Sequence, residues 1–131
     1  MDTVFLTVED VLHIHADQIR RYGGSAELSD GNLLDAAVAM PRQQFGGQLL
    51  HPDLASMGAA YLFHLVKNHP FVDGNKRVGA AAANVFVRLN GYQLNCTNED
   101  LVQLVLSVAV GQTSKDEAAA FFGDHLKALT P

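Results

Sequence analysis

The chain has 131 residues, of which 48% are hydrophobic and 18% charged, and a formal net charge of −5. That size and balance describe one globular domain spanning 1–131, exclude a disordered chain, and argue against nucleic-acid binding through general electrostatics. The lone Cys96 excludes an internal disulfide, no apolar run is as long as a membrane span, and Asp2, Glu9 and Asp10 are unlike a basic signal-peptide start; the expected compartment is the cytoplasm.

In chain order, Thr7 with Asp10 reads as a capping box. Val8, Val11, Leu12, His15 and Ile19 then hold one helical face until Gly23-Gly24. Ser29 or Asp30 caps a second helix through Leu33, Leu34, Ala37 and Val38, ended by Pro41. The stretch Gln43, Gln44, Phe45, Gly46, Gly47, Gln48, Leu49 and Leu50 reads as a hairpin or flap around its glycine pair. Pro52 and Asp53 open a third helix carrying Leu54, Gly58, Tyr61, Leu62 and Leu65, which stops near Asn68.

A fourth helix follows at once, with Val78, Ala81, Ala82, Val85, Phe86 and Leu89 facing inward and Asn90-Gly91 as its stop. Residues Gly79 to Ala83 are all small, so neighbours can approach closely and this helix is expected to be central. Thr97 with Asp100 starts a helix through Leu101, Leu104, Val105 and Val108. Ser114 with Glu117 caps a last one, predicted to carry Ala118, Phe121, Phe122, Leu126 and Leu129 to the end. Outside the flap, a strand signal occurs only at Tyr92 to Leu94. The expected fold is all-α, about six helices with a short β-hairpin flap.

Chemistry concentrates in His69-Pro70-Phe71-Val72-Asp73-Gly74-Asn75-Lys76-Arg77, a loop that runs into the start of the central helix. Free N–H groups and the positive end of the helix dipole converge there, a natural place for phosphate. Gly74 allows close backbone approach, and Asn75 can supply a cap and an amide donor. Lys76 and Arg77 oppose the dipole unless an anion lies in front of them. The cations Lys67, Lys76, Arg77 and Arg88 fall within 22 residues of this acidic chain, an arrangement suited to a small anion. His69 can take a proton near neutral pH, and Asp73 is a hard oxygen ligand suited to Mg²⁺ beside a polyphosphate.

These residues resemble the signature motif of the Fic/Doc superfamily. The surroundings are similar to its Doc (death-on-curing) branch: Leu6-Thr7-x-Glu9, Ile14-His15, Tyr22-Gly23-Gly24, Leu33-Leu34-x-x-Ala37 with Pro41, and Asn90-Gly91. The likeness covers nearly the whole chain and implies a Fic-type helical domain. It implies His69 as general base, Phe71 as a buried pin, Asp73 as Mg²⁺ ligand, Gly74 and Asn75 as phosphate cradle, and Lys76 and Arg77 as phosphate binders. AMP-transferring members usually carry glycine where Lys76 stands. The lysine therefore implies Doc-type transfer of the γ-phosphate of ATP to a threonine of elongation factor Tu, arresting translation. The resemblance also implies a Phd-type antitoxin as partner, and a flap that aligns the target by strand addition.

Rival readings stand beside this one. The same fold supports AMP transfer, and a catalytically silent antitoxin-binding module would need neither His69 nor Asp73. A metal-dependent hydrolase is more distant: His64, His69 and Asp73 are close in sequence, but a proline and a helix end intervene and no cysteine pair supports zinc. Out of context, His69 is an ordinary loop histidine, Lys76-Arg77 solvated surface and the flap a mere connection. His15, on an apolar face, reads as a satisfied core histidine; His13, His51 and His125 have no assigned role. Arg20-Arg21 complement a helix dipole, and Cys96 reads as inert. Thr113-x-x-x-Glu117 approaches the self-inhibitory motif of some Fic proteins, but Ala118 follows where glycine or asparagine is needed; Ser114 as a cap is the better reading, so inhibition is expected in trans.

Overall fold

Six α-helices carry the fold, as the periodicity predicts, in a computed structural model that describes residues 2–130. They are α1 (Val8–Tyr22), α2 (Gly31–Ala39), α3 (Leu54–Asn68), α4 (Asn75–Leu89), α5 (Asn98–Ala109) and α6 (Lys115–His125). The predicted flap is a two-stranded hairpin, β1 (Gln44–Phe45) with β2 (Gln48–Leu49), and a short 3₁₀ turn at Met40–Arg42 precedes it. None of the described helices is long and apolar enough to cross a membrane.

The expected central helix α4 packs on α3, α1 and α5, but it shares the middle of the domain with α3, which packs on α4, α6, α2 and α5. Tyr61, Leu62, Leu65, Phe86 and Phe122 are fully buried at these contacts. Small residues make the α3–α4 approach possible. A Cβ on Gly79 would lie 2.7 Å from Val66 Cγ2 and 3.1 Å from the Leu62 carbonyl oxygen. Gly79→Ala should therefore destabilise the fold by about 1–2 kcal/mol, overpacking exceeding the roughly 1 kcal/mol that alanine gains as a helix former. Thermal unfolding checks this; an unchanged or higher Tm would mean that the two helices separate freely.

Capping follows the predicted residues. Thr7 closes a capping box with Asp10, Asp30 caps α2, Asp53 caps α3, Thr97 caps α5, and Ser114 closes a box with Glu117. Asn90, read as a stop, also ties the chain start down: its side chain donates to the Val4 carbonyl and accepts from the Val4 N–H, at 2.9 and 2.8 Å. On α3, His64 accepts from Lys115 at 3.2 Å, and burial, then that ammonium, hold its pKa down at about 4.

The last helix is shorter than its apolar spacing predicts. It ends at His125, and Leu126–Ala128 form β4, antiparallel to β3 at Tyr92–Leu94. Leu126 still packs on the core, as a helical residue would, while its backbone satisfies the strand that follows α4. A tertiary partner outweighs local periodicity here.

Candidate active site

The loop joining α3 to α4 is where the backbone departs most from ordinary geometry. His69 terminates α3 in the left-handed region, at φ 52° and ψ 54°, and Pro70 follows it. It is the one non-glycine residue with positive φ among the described residues. Helices commonly end in this conformation on glycine, and a side chain there costs on the order of 1 kcal/mol. The exposed imidazole is kept at that cost, which points to a use for it.

Contacts from α1 and from the segment before α2 hold the loop after His69. The Ser29 and Asp30 N–H groups donate to the Pro70 carbonyl at 2.8 and 3.0 Å, and Val72 N–H donates to the Glu27 carbonyl at 3.0 Å. Phe71 is fully buried, and its ring stacks on His15 at 3.6 Å with 7° between the planes. The His15 Nε2 donates to the Asp73 carbonyl at 2.6 Å. Burial lowers the His15 pKa, more than the bond to Asp73 raises it. On the far side of the loop, the Ser25 N–H donates to Asp73 Oδ2 at 2.9 Å.

Asn75 differs from its expected place in the phosphate cradle. Its side chain is buried and turned back on the loop: Oδ1 accepts from the Phe71 N–H at 3.0 Å, and Nδ2 donates to the Phe71 carbonyl at 2.8 Å. This reciprocal pair closes the loop and leaves only the Asn75 backbone for a ligand. The residue before α4 is Gly74, at φ 80° and ψ 18°, and no side chain caps this helix. The other five α-helices of the described residues all have side-chain caps. The first turn of α4 thus keeps its N–H groups and the positive end of its dipole available to an anion.

Arg77 likewise holds structure together. Its guanidinium donates to the Gly23 carbonyl at 3.0 Å and to the Gln18 carbonyl at 3.4 Å, fastening the end of α1 beside the loop. Lys76 is exposed.

A cleft of about 300 Å³ is lined by His69, Val72, Asp73, Gly74, Asn75, Lys76 and Arg77, so the loop brings together the residues singled out in its sequence. Phe71 lies beneath it as the expected buried pin. The flap residues 43–50 are all exposed, with Phe45 at 84%, and none lines this cleft. A second, wider groove of about 560 Å³ shares Lys76 and Arg77 and runs between α4 and α5 past Ala80, Ala81, Val102 and Leu106. Ser25, Glu27 and His15 were not singled out as site residues, although their backbone or ring atoms hold the loop. Only the adjacent Tyr22-Gly23-Gly24 and Ile14-His15 signatures pointed to that region.

One cleft thus gathers an imidazole, a carboxylate and an uncapped helix start. The sequence profile of the Fic/DOC family matches residues 5–87, from before α1 into α4, and the chain belongs to that family. It is 46% identical to Toxin Doc of Mycolicibacterium smegmatis over 92 residues, 70% of this chain and 68% of that protein. It is 29% identical to Protein kinase doc of Escherichia phage P1 over 114 residues, 87% of this chain and 89% of the phage protein.

Proposed function

We propose that this chain is a Doc-type toxin that transfers the γ-phosphate of ATP to a protein hydroxyl, a threonine of elongation factor Tu being the implied acceptor. The observation that carries this reading is the uncapped start of α4 in one cleft with the strained, exposed His69. The relatives named as a toxin and as a protein kinase support the same class.

The acceptor hydroxyl oxygen attacks the γ-phosphorus, and its proton passes to the His69 imidazole. The bond from the γ-phosphorus to the β,γ-bridging oxygen breaks, and ADP leaves. The Gly74 and Asn75 backbone, the dipole of α4 and the Lys76 ammonium stabilise the phosphate charge. Arg77, its guanidinium directed to α1 carbonyls, braces the cradle and adds positive charge.

Asp73 suits Mg²⁺: it is an exposed carboxylate on the cleft wall with one oxygen steadied by Ser25, and this ion characteristically uses one or two carboxylates plus substrate phosphates. When bound, the ion would draw negative charge from the phosphate oxygens. Lys76, where AMP-transferring relatives usually carry glycine, supports γ-phosphate transfer. The apolar groove with Lys76 and Arg77 at one end suits an amphipathic acidic tail, the kind of segment a Phd-type antitoxin would contribute in trans. The free backbone edges of the exposed hairpin suit alignment of the target by strand addition.

Elongation factor Tu incubated with the chain and ATP labelled at either the α or the γ position tests the reaction. Label from the γ position alone is expected on the target. Retention of α label would identify AMP transfer and overturn the inference from Lys76. No label, and no rise in Tm with MgATP, would favour a silent antitoxin-binding module.

A further inference from the structure

We infer that His15 is a positioning residue for Asp73, setting the orientation of the Asp73–Gly74 peptide on which the metal-binding and phosphate-binding geometry depends; this rests on the reading of Asp73 proposed above. Three observations converge on the ring. His15 is 1% exposed, in the middle of α1, far along the chain from the loop it touches. Its Nε2 lies 2.6 Å from the Asp73 carbonyl oxygen, so that nitrogen carries the proton. Its face is stacked on Phe71, which fixes the ring plane.

The consequence follows from peptide planarity. In a trans peptide the carbonyl and the next N–H point in opposite directions. Holding the Asp73 carbonyl against α1 therefore turns the Gly74 N–H away from α1. The Asp73 side chain is held independently through Oδ2 by the Ser25 N–H. Two anchors on one residue, at carbonyl and carboxylate, restrict it far more than either alone. Gly74 is part of the same arrangement: a Cβ there would lie 3.3 Å from His15 Nε2 and 3.2 Å from Ile19 Cδ1, so the loop approaches α1 this closely only with a bare backbone. A leucine or phenylalanine at position 15 could fill the core, but neither could hold the carbonyl.

Two substitutions separate donor from packing. His15→Phe keeps a flat ring against Phe71 and removes the donor; His15→Gln keeps an amide N–H near the Nε2 position and gives up the stack. The first readout is the rise in Tm at fixed ATP as Mg²⁺ is titrated, which reports ligand binding without turnover. The second is KM for Mg²⁺ against kcat in the transfer assay. For His15→Phe the Mg²⁺ midpoint should move up by about tenfold or more, the size seen when an outer contact to a metal ligand is lost, with KM for Mg²⁺ rising in parallel. His15→Gln should stay within about threefold of the parent chain in both, even where its Tm falls further.

A His15→Phe chain with the parent midpoint overturns the inference, as does an equal loss in both variants, which would mean that packing alone matters. Asp73→Asn separates the two levels of the argument. If it keeps the parent midpoint, the metal reading of Asp73 fails and this inference falls with it; if it loses Mg²⁺ dependence while His15→Phe does not, only the inference falls. The unsubstituted protein gives a check that needs no variant to fold: the ¹⁵N shifts of the His15 ring must report the Nε2–H tautomer, and an Nδ1–H tautomer overturns the proposal.

Discussion

His69→Ala is expected to lower the transfer rate by about 10²–10⁴-fold, the range that a positioned general base contributes. Binding should survive: the α4 start, Lys76 and Asp73 are untouched, so the Tm increase with MgATP should stay close to that of the parent chain. The backbone adds a second expectation. His69 occupies a left-handed position that glycine adopts freely, and its side chain is exposed. His69→Gly should therefore be as inactive as the alanine variant yet more stable than the parent, by on the order of 1 kcal/mol. An inactive variant that gains stability would mean the histidine is kept for chemistry. Transfer retained in either variant would remove His69 from the mechanism.

Asn75→Ala is expected to lose about 2–4 kcal/mol of stability. The substitution strands the Phe71 N–H and carbonyl, both within a buried part of the loop, and each unsatisfied group costs roughly 1–3 kcal/mol. Transfer should fall with it, because the loop that carries Asp73 loses its closure. Urea unfolding at constant ATP measures the first effect directly. The contrary pattern, unchanged stability with weakened MgATP binding, would mean that the Asn75 amide serves the phosphate, as the motif alone implied.

Much of this architecture was legible in the residues because its signals are local. Capping residues announced five helix starts, the small residues from Gly79 announced that neighbours pack closely on α4, and the glycine pair announced the flap. The cleft was legible for the same reason, since its lining comes from consecutive residues of one loop. What the pattern missed is non-local. Leu126 has helical spacing, yet its backbone belongs to a strand whose partner lies more than thirty residues earlier. The Asn75 side chain looked like a ligand binder because sequence shows a side chain's type and not where it points, and Arg77, which does line the cleft, gave no sign that it also fastens α1. His15 looked like a core histidine, and it is one, but it is also bonded to the site. Position on an apolar face gave its burial; only the fold brings Asp73 to it.

The central claim is that this cleft moves a phosphate to a protein using His69, and intact-mass spectrometry of elongation factor Tu tests it most directly. The target is incubated with MgATP and either the parent chain or His69→Ala. One added phosphate with the parent chain and none with the variant is the predicted result. An added AMP, an unmodified target, or the same phosphate appearing with His69→Ala would contradict it.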